Sequence, residues 1–138
     1  MIFESLTDWS VSENEKIKYY SGTAIYETSF ELNNIPENEE LFIDLGEVSV
    51  MAKVIINGTD IGGTWIAPYR LKATEHLKKG NNKIEVEVVN LWRNQLIKDK
   101  KLPKEERYTW HLVDDIQEDE MPYSSGLLGP VTIQEVLK

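Results

Sequence analysis

The chain contains no cysteine and only two histidines, His76 and His111, among its 138 residues. The lack of cysteine excludes disulfide bonds, thiolate metal ligands and cysteine nucleophiles. Two histidines far apart also argue against a zinc site. No run of about 18 apolar residues occurs, so the sequence predicts no transmembrane helix. The first six residues have neither a basic flank nor a long apolar stretch, and this is not typical of a signal peptide.

Basic residues are few compared with acidic ones. The chain has 15 Lys and Arg against 24 Asp and Glu, and its formal net charge is −9. Proteins that bind nucleic acid or anionic membranes cluster positive charge at the contact, so the sequence excludes both as expected partners. The length suits one domain, and we predict a single domain over residues 1–138.

Several segments alternate apolar and polar residues with the two-residue period of a β-strand. In the first segment Ala24, Tyr26, Thr28, Phe30 and Leu32 share one face, and residues 83–91 repeat the pattern. Asn57-Gly58 is typical of a two-residue hairpin turn. Six or seven such strands, separated by turn signals, predict an all-β antiparallel sandwich or barrel.

Residues 93–123 do not follow this pattern. The segment is polar and charged, contains two prolines, and shows no sustained period. We predict a long irregular excursion outside the sheets that contains a short helical piece. Loops of this length in a compact domain are usually functional or form interfaces.

Four segments carry a resemblance to known families. The hairpin Lys53–Gly62, continued by Pro68-Tyr69 and by the turn Lys79–Asn82, is similar to the sugar-binding sandwich domain of family 2 glycoside hydrolases. The other three segments resemble the C-terminal domain of family 106 alpha-L-rhamnosidase-like proteins. They are Tyr20–Tyr26, Asn90–Pro103 and Ser125–Val131.

This resemblance implies a jelly-roll β-sandwich of the galactose-binding-like type. It also implies a non-catalytic accessory domain of a glycoside hydrolase, because no catalytic module accompanies the four segments. A catalytic glycoside hydrolase module is then the expected partner, with saccharide as a second expected contact. A periplasmic or extracellular location follows if the chain behaves like the family.

Tryptophan and tyrosine side chains are the candidate carbohydrate-binding residues, because sugar C–H faces stack on aromatic rings and nearby polar groups fix their orientation. For every candidate the alternative is anchoring of the core or of a loop, and we expect Trp9 and Tyr26 to be buried. The candidates form three groups along the chain: Trp65 with Tyr69 and Arg70, Trp92 with Arg93, and Trp110 with His111.

Polar residues near these aromatic residues have structural interpretations. We expect Asn90 and Asn94 to bond loop backbone, because buried amides must be satisfied. Arg107 is interpreted as a solvated charge, with pairing to loop acids or to a neighbouring domain as alternatives. Asn57-Gly58-Thr59 fits a glycosylation acceptor, but a tight turn explains its first two residues.

An acidic run in the excursion supplies oxygen ligands of the kind that calcium prefers. Asp114, Asp115 and Asp119 are therefore weak candidates for a structural calcium site, and a solvated acidic loop is the alternative. Apart from this, the sequence predicts no metal site and no cofactor.

Two further hypotheses on function stay open. In the first, the chain is an autonomous carbohydrate-binding module that uses the same aromatic residues. In the second, it is a small hydrolase, but glycoside hydrolysis requires two carboxylates at a defined separation, and the 24 acids give no way to select a pair.

Overall fold

The computed structural model describes Ile2, residues 4–110 and residues 115–137. Nine β-strands dominate this part of the chain. They are β1 Thr23–Leu32, β2 Glu39–Asp44, β3 Glu47–Val48, β4 Met51–Ile56, β5 Thr59–Thr64, β6 Arg70–Lys72, β7 Gly80–Val89, β8 Leu127–Gly129 and β9 Thr132–Leu137.

These strands form three sheets in which every strand pairs with its neighbours in the antiparallel sense. The first sheet has the order β1-β7-β4-β5, the second β6-β2-β9, and β3 pairs with β8. This confirms the prediction of an antiparallel β-sandwich. The number of strands exceeds the six or seven predicted. One reason is that the apolar stretch 48–56 divides between β3 and β4, and another is that the short strand β8 was not predicted.

The core lies between the two larger sheets, and alternate residues of each strand point into it. Val54 and Ile56 of β4 and Val86 and Val88 of β7 are buried, and they pack against Leu41 and other residues of β2. The residues between them are more exposed, as the two-residue period predicts.

The hairpin between β4 and β5 turns at Asn57 and Gly58, whose φ angles are 51° and 83°. Both values lie in the left-handed region that Asn and Gly tolerate best, so the predicted turn is confirmed. The Asn57 Nδ2 group donates to the His76 carbonyl and to Asn82 Oδ1, at 2.9 Å each. The amide of the glycosylation-like motif is therefore engaged in the fold.

The strand register places several connections at one end of the four-stranded sheet. Thr64 of β5, Ala52 of β4, Val88 of β7 and Ala24 of β1 lie in one row across the sheet. The segments that follow β5 and β7, and those that precede β1 and β4, therefore share that end. We call this region the loop end; it comprises residues 19–22, 45–50, 65–69, 90–92 and 123–126.

The excursion beyond β7 contains the predicted helical piece. Helix α2 spans Arg93–Lys100, and a 3₁₀ helix spans Lys104–Glu106. Ile97 of α2 packs with Tyr19 and Ile116 in a small second apolar cluster. Tyr19 directly follows a short N-terminal helix, α1, over Glu15–Lys18, and a 3₁₀ helix precedes that over Trp9–Val11. None of the helices in the described residues is long and apolar enough to cross a membrane.

Candidate functional site

Buried polar groups hold the segments of the loop end together. The backbone N–H of Asn90 donates to the Gly22 carbonyl at 3.0 Å, and the side-chain oxygen Oδ1 of Asn90 accepts from the Gly126 N–H at 2.7 Å. Asn90 thus connects the start of β1, the end of β7 and the segment before β8. The expectation that Asn90 bonds loop backbone is confirmed.

Asp8 connects the N-terminal segment to the same place. Its Oδ1 accepts from the N–H groups of Ser10 and Ser125, at 2.8 and 3.1 Å. Partial burial opposes ionisation of this carboxyl, but the hydrogen bonds from Ser10 and Ser125 outweigh it, so the pKa of Asp8 lies below its usual value. These hydrogen bonds therefore fix the N-terminal segment to residue 125 of the loop end.

Glycine is required at position 126, where the backbone lies against two aromatic side chains. Its φ is +95°, and a Cβ at this position would lie 2.7 Å from the Tyr26 hydroxyl oxygen and 3.2 Å from Trp9 Nε1. Trp9 is buried, as expected, whereas Tyr26 is half-buried and packs against the core. These two aromatic residues are structural.

The first candidate group separates in the structure. Trp65 follows β5 at the loop end, and its side chain is 74% exposed. Tyr69 packs against the main core. The Arg70 guanidinium lies 4.8 Å from the Phe42 ring centroid and donates to Gln134 Oε1 at 3.3 Å, which places it on the outer face of the three-stranded sheet. Trp65 is thus the group's exposed aromatic ring at the loop end.

The second candidate group lies at the start of α2. Trp92 occupies the position before the helix, and its side chain is 61% exposed. The neighbouring Ser21 hydroxyl donates to the Leu91 carbonyl at 2.7 Å and accepts from the Gln95 N–H at 2.9 Å. These bonds fix the backbone on both sides of Trp92.

Arg93 is held between two carboxylates of the excursion. Its guanidinium donates to both carboxylate oxygens of Glu120, at 2.6 and 3.0 Å, and to Asp115 Oδ2 at 3.0 Å. These hydrogen bonds raise the pKa of Arg93 and, from the other side, lower the pKa of Glu120. Arg93 thus clamps residues 115–120 onto the start of α2.

Trp110 belongs to the third candidate group and is 80% exposed. The preceding residue, Thr109, donates its N–H to Asp99 Oδ2 at 2.8 Å, and its hydroxyl bonds the same oxygen. Asp99 lies seven residues after Trp92, or about 10 Å along a helix at 1.5 Å per residue. Trp92 and Trp110 therefore lie near opposite ends of α2. His111 lies outside the described residues.

Asp99 is a buried carboxylate near the end of α2. Burial would raise its pKa, but hydrogen bonds from Thr109 and Gln95 outweigh this, so the pKa of Asp99 lies below its usual value. The charged form is thus the one that holds Thr109, and with it Trp110, against the helix.

Two other predicted polar residues also serve the excursion. Asn94 donates from Nδ2 to the Tyr123 carbonyl and accepts at Oδ1 from the Tyr123 N–H, each at 2.8 Å, which confirms its expected role. Arg107 donates to the carbonyls of Leu102 and Lys100, at 3.0 and 3.4 Å. In the described residues these are backbone contacts, and Arg107 is only partly exposed, so it is not a fully solvated charge. Pairing with a neighbouring domain stays an alternative.

The calcium candidates do not gather into a site in the described part of the chain. Asp115 pairs with Arg93, Asp119 is exposed, and Asp114 lies outside the described residues. In the described ranges, no three histidine or acidic side chains lie close enough together to hold a metal ion. A structural calcium ion stays a prediction from the resemblance.

Sequence reasoning missed three residues that shape this region: Asp8, Ser21 and Ile66. Asp8 could have been found in the sequence, because Asp is one of the residue types preferred at the position that caps the start of a helical turn. Ile66 stands beside Trp65 and is 71% exposed, which alternation alone could not predict.

The chemistry available at the loop end is that of binding. Of the carboxylates at or beside it in the described residues, Asp8, Asp115 and Glu120 are engaged by hydrogen bonds or by Arg93, and Glu47 is exposed. The large exposed side chains of the loop end include Trp65, Ile66 and Trp92. The fold and this site define a β-sandwich accessory domain.

The comparison with protein families agrees. The chain belongs to the family described as "Glycosyl hydrolase 2 galactose-binding domain-like", whose model matches residues 4–125. It is 42% identical to a protein of Formosa agariphila named "Putative beta-glucuronidase"; the match covers 99% of this chain and 14% of that protein.

Solved structures show the same relation. A rhamnosidase from Novosphingobium sp. PP1Y is 36% identical, with a TM-score of 0.88 over 96% of this chain and 13% of that one. A beta-D-glucuronidase from Dictyoglomus thermophilum, at 17% identity and a TM-score of 0.64, shares the fold. The chain spans about one-seventh of the first two proteins, so it corresponds to an accessory part of large glycoside hydrolases and is not a catalytic unit.

Proposed function

We propose that this domain supports the catalytic module of a glycoside hydrolase and contacts saccharide through Trp92 at the loop end. The observation that carries the proposal is an exposed indole ring on a rigid base with polar groups beside it. Trp92 is exposed, Ser21 fixes its backbone, and Arg93 follows it directly.

The surroundings of Trp92 fit a sugar better than those of Trp65, the other exposed tryptophan of the loop end. A sugar ring stacks its C–H face on an indole and uses its hydroxyls to bond polar groups at the edge. Arg93 follows Trp92 in the chain, and its guanidinium, with the exposed carboxylate of Asp115 that it binds, supplies a donor and an acceptor. Trp65 is followed by three apolar residues and has no such neighbours in its own loop.

The small share of its relatives that this domain occupies supports the proposed support of a catalytic module. Proteins that contain a similar domain are named for rhamnosidase and glucuronidase activity, and the domain is a small share of each. We infer that a domain of this small share braces the catalytic module or shapes the rim of its cleft. The two names differ in the sugar, so either a neutral deoxy-sugar or a uronic acid fits.

The first experiment titrates the isolated chain with a methyl rhamnoside and with a methyl glucuronide, observed by saturation-transfer NMR. We expect contact with one of them, lost in Trp92→Ala and kept in the control Trp110→Ala, whose side chain is also exposed. Binding that survives Trp92→Ala, or no binding of either sugar, would exclude the saccharide contact. Tight binding by the isolated chain would favour an autonomous carbohydrate-binding module.

A further inference from the structure

The loop between β5 and β6 exposes four consecutive apolar residues. They are Trp65, Ile66, Ala67 and Pro68, and all four are exposed. The indole is 74% and the Ile66 side chain 71% accessible. Runs of three or four exposed apolar residues are rare on solvent-facing loops unless they serve a function. We call these four residues the apolar tip.

Hydrogen bonds from the residues that flank it hold the backbone of the apolar tip. The buried side chain of Thr64 donates to the Ile66 carbonyl at 3.2 Å, and the Arg70 N–H donates to the Pro68 carbonyl at 2.8 Å. Tyr69 packs into the core, and its carbonyl accepts from the Leu45 N–H at 2.9 Å. A surface that is already ordered loses little conformational entropy on binding, so such a loop is suited to docking.

The chemistry of the apolar tip selects a protein surface as its ligand. A sugar site needs polar groups that fix the orientation of the hydroxyls, and none of the four side chains carries one. A buried tryptophan beside an aliphatic residue is instead the usual anchor at the centre of a protein interface. The tip carries no charge, although the whole chain carries −9.

A second copy of this chain is the less suitable protein partner. Contact between two identical tips would bring two chains of charge −9 together, and self-repulsion opposes such a contact. The similar domain is about one-seventh of each of two relatives, so most of each relative lies outside this domain. A neighbouring module of the same enzyme is therefore the partner that we favour.

We propose that the apolar tip Trp65–Pro68 docks into an apolar pocket on the neighbouring module of the glycoside hydrolase. This inference rests on the proposed accessory role but not on the saccharide contact of Trp92. It assigns the two exposed tryptophans of the loop end to different ligands: Trp65 to protein and Trp92 to sugar.

The test compares Trp65→Ala with Leu137→Ala in the isolated chain and in the complete polypeptide that contains it. Leu137 is 79% exposed and pairs with Glu39, at the opposite end of β2 from the loop end. Amide hydrogen exchange over residues 64–70 reports on docking. We expect Trp65→Ala to speed this exchange about tenfold in the complete polypeptide, a change that corresponds to about 1.4 kcal/mol of lost hot-spot energy.

The same variant is expected to leave exchange in the isolated chain within twofold of wild type, and Leu137→Ala to change neither sample. Equal exchange in wild type and Trp65→Ala within the complete polypeptide would overturn the proposal. A concentration-dependent dimer of the isolated chain that Trp65→Ala abolishes would assign the tip to a second copy instead. Loss of sugar binding on Trp65→Ala, with unchanged exchange, would assign it to saccharide, and the Trp92→Ala titration tests the saccharide contact separately.

Discussion

The sandwich core and the excursion after β7 are stabilised by different interactions. Between the sheets, strands β2, β4 and β7 bury aliphatic side chains on one face, and nearly all of the contact is apolar. The excursion buries only a small apolar cluster around Ile97. Its conformation depends on Arg93, Asn94 and Asp99, which bond residues 27, 29 and 10 positions further along the excursion.

This difference predicts different responses to mutation and pH. Apolar burial is proportional to area and insensitive to protonation, whereas hydrogen bonds and ion pairs depend on geometry and charge. Segments with few buried apolar contacts also open locally, at a lower free energy than global unfolding. We therefore expect the excursion to open before the sandwich does. The loop end lies between the two regions and is joined to both through Asn90 and Asn94.

The largest effect is expected in the core. Ile43 of β2 is almost fully buried in the main cluster, and Ile43→Ala removes three carbon atoms and leaves a cavity. We expect the free energy of unfolding to fall by about 2–5 kcal/mol, measured by denaturant titration of the far-ultraviolet circular dichroism signal.

Ile25→Ala is the matched control on the outer face of β1, where the side chain is exposed. We expect its effect to be within about 0.5 kcal/mol. A large loss in Ile25→Ala would mean that the outer face of the four-stranded sheet is buried in solution.

A smaller and more local effect is expected for Asn94→Ala. The change leaves the N–H and the carbonyl of Tyr123 without their partner at the junction of the excursion and the loop end. Unmade hydrogen bonds of this kind cost about 1–3 kcal/mol. Hydrogen exchange should rise over residues 93–123 and stay unchanged in β4 and β7. The exposed Asn34→Ala serves as the control, and equal exchange in both variants would contradict the separate opening of the excursion.

The smallest effect concerns pH. Because the folded pKa of Asp99 is lowered, its charge stabilises the excursion above the ordinary carboxyl pKa of about 3.9, and this contribution is lost as the pH falls through the lower folded value. The Thr109 amide proton, which Asp99 accepts at 2.8 Å, should report this loss by NMR. Asp99→Asn should remove the acid transition, and the exposed Asp119→Asn should leave it in place. A transition that persists in Asp99→Asn would show that another group causes it.

The strands were predictable because their signal is local. Ala24, Tyr26, Phe30 and Leu32 alternate with more exposed residues in β1, as the two-residue period predicted, whereas Thr28 of the same predicted face is exposed. The turn at Asn57-Gly58 follows from the backbone freedom of these two residue types alone. Neither inference needed a partner strand.

Helix α2 was harder to predict for a physical reason. Asn94 and Asp99 are buried polar residues on this helix, so its buried side lacks the apolar stripe from which a helix is predicted. The burial of both is made favourable by Tyr123 and Thr109, which lie 29 and 10 residues away in sequence. The sequence marked the segment as irregular, and only its long-range partners show how it is ordered.

The four tryptophans show which features the sequence alone determined and which only the tertiary structure decided. Sequence determined an acidic, cysteine-free β-sandwich with aromatic residues in its connections, because composition and a two-residue period depend only on neighbours along the chain. It predicted that Trp9 is buried, but it left exposure and core anchoring open for Trp65, Trp92 and Trp110, and all three are exposed. Exposure depends on which strands end together, and that is decided by the register of β1, β4, β5 and β7 across the sheet.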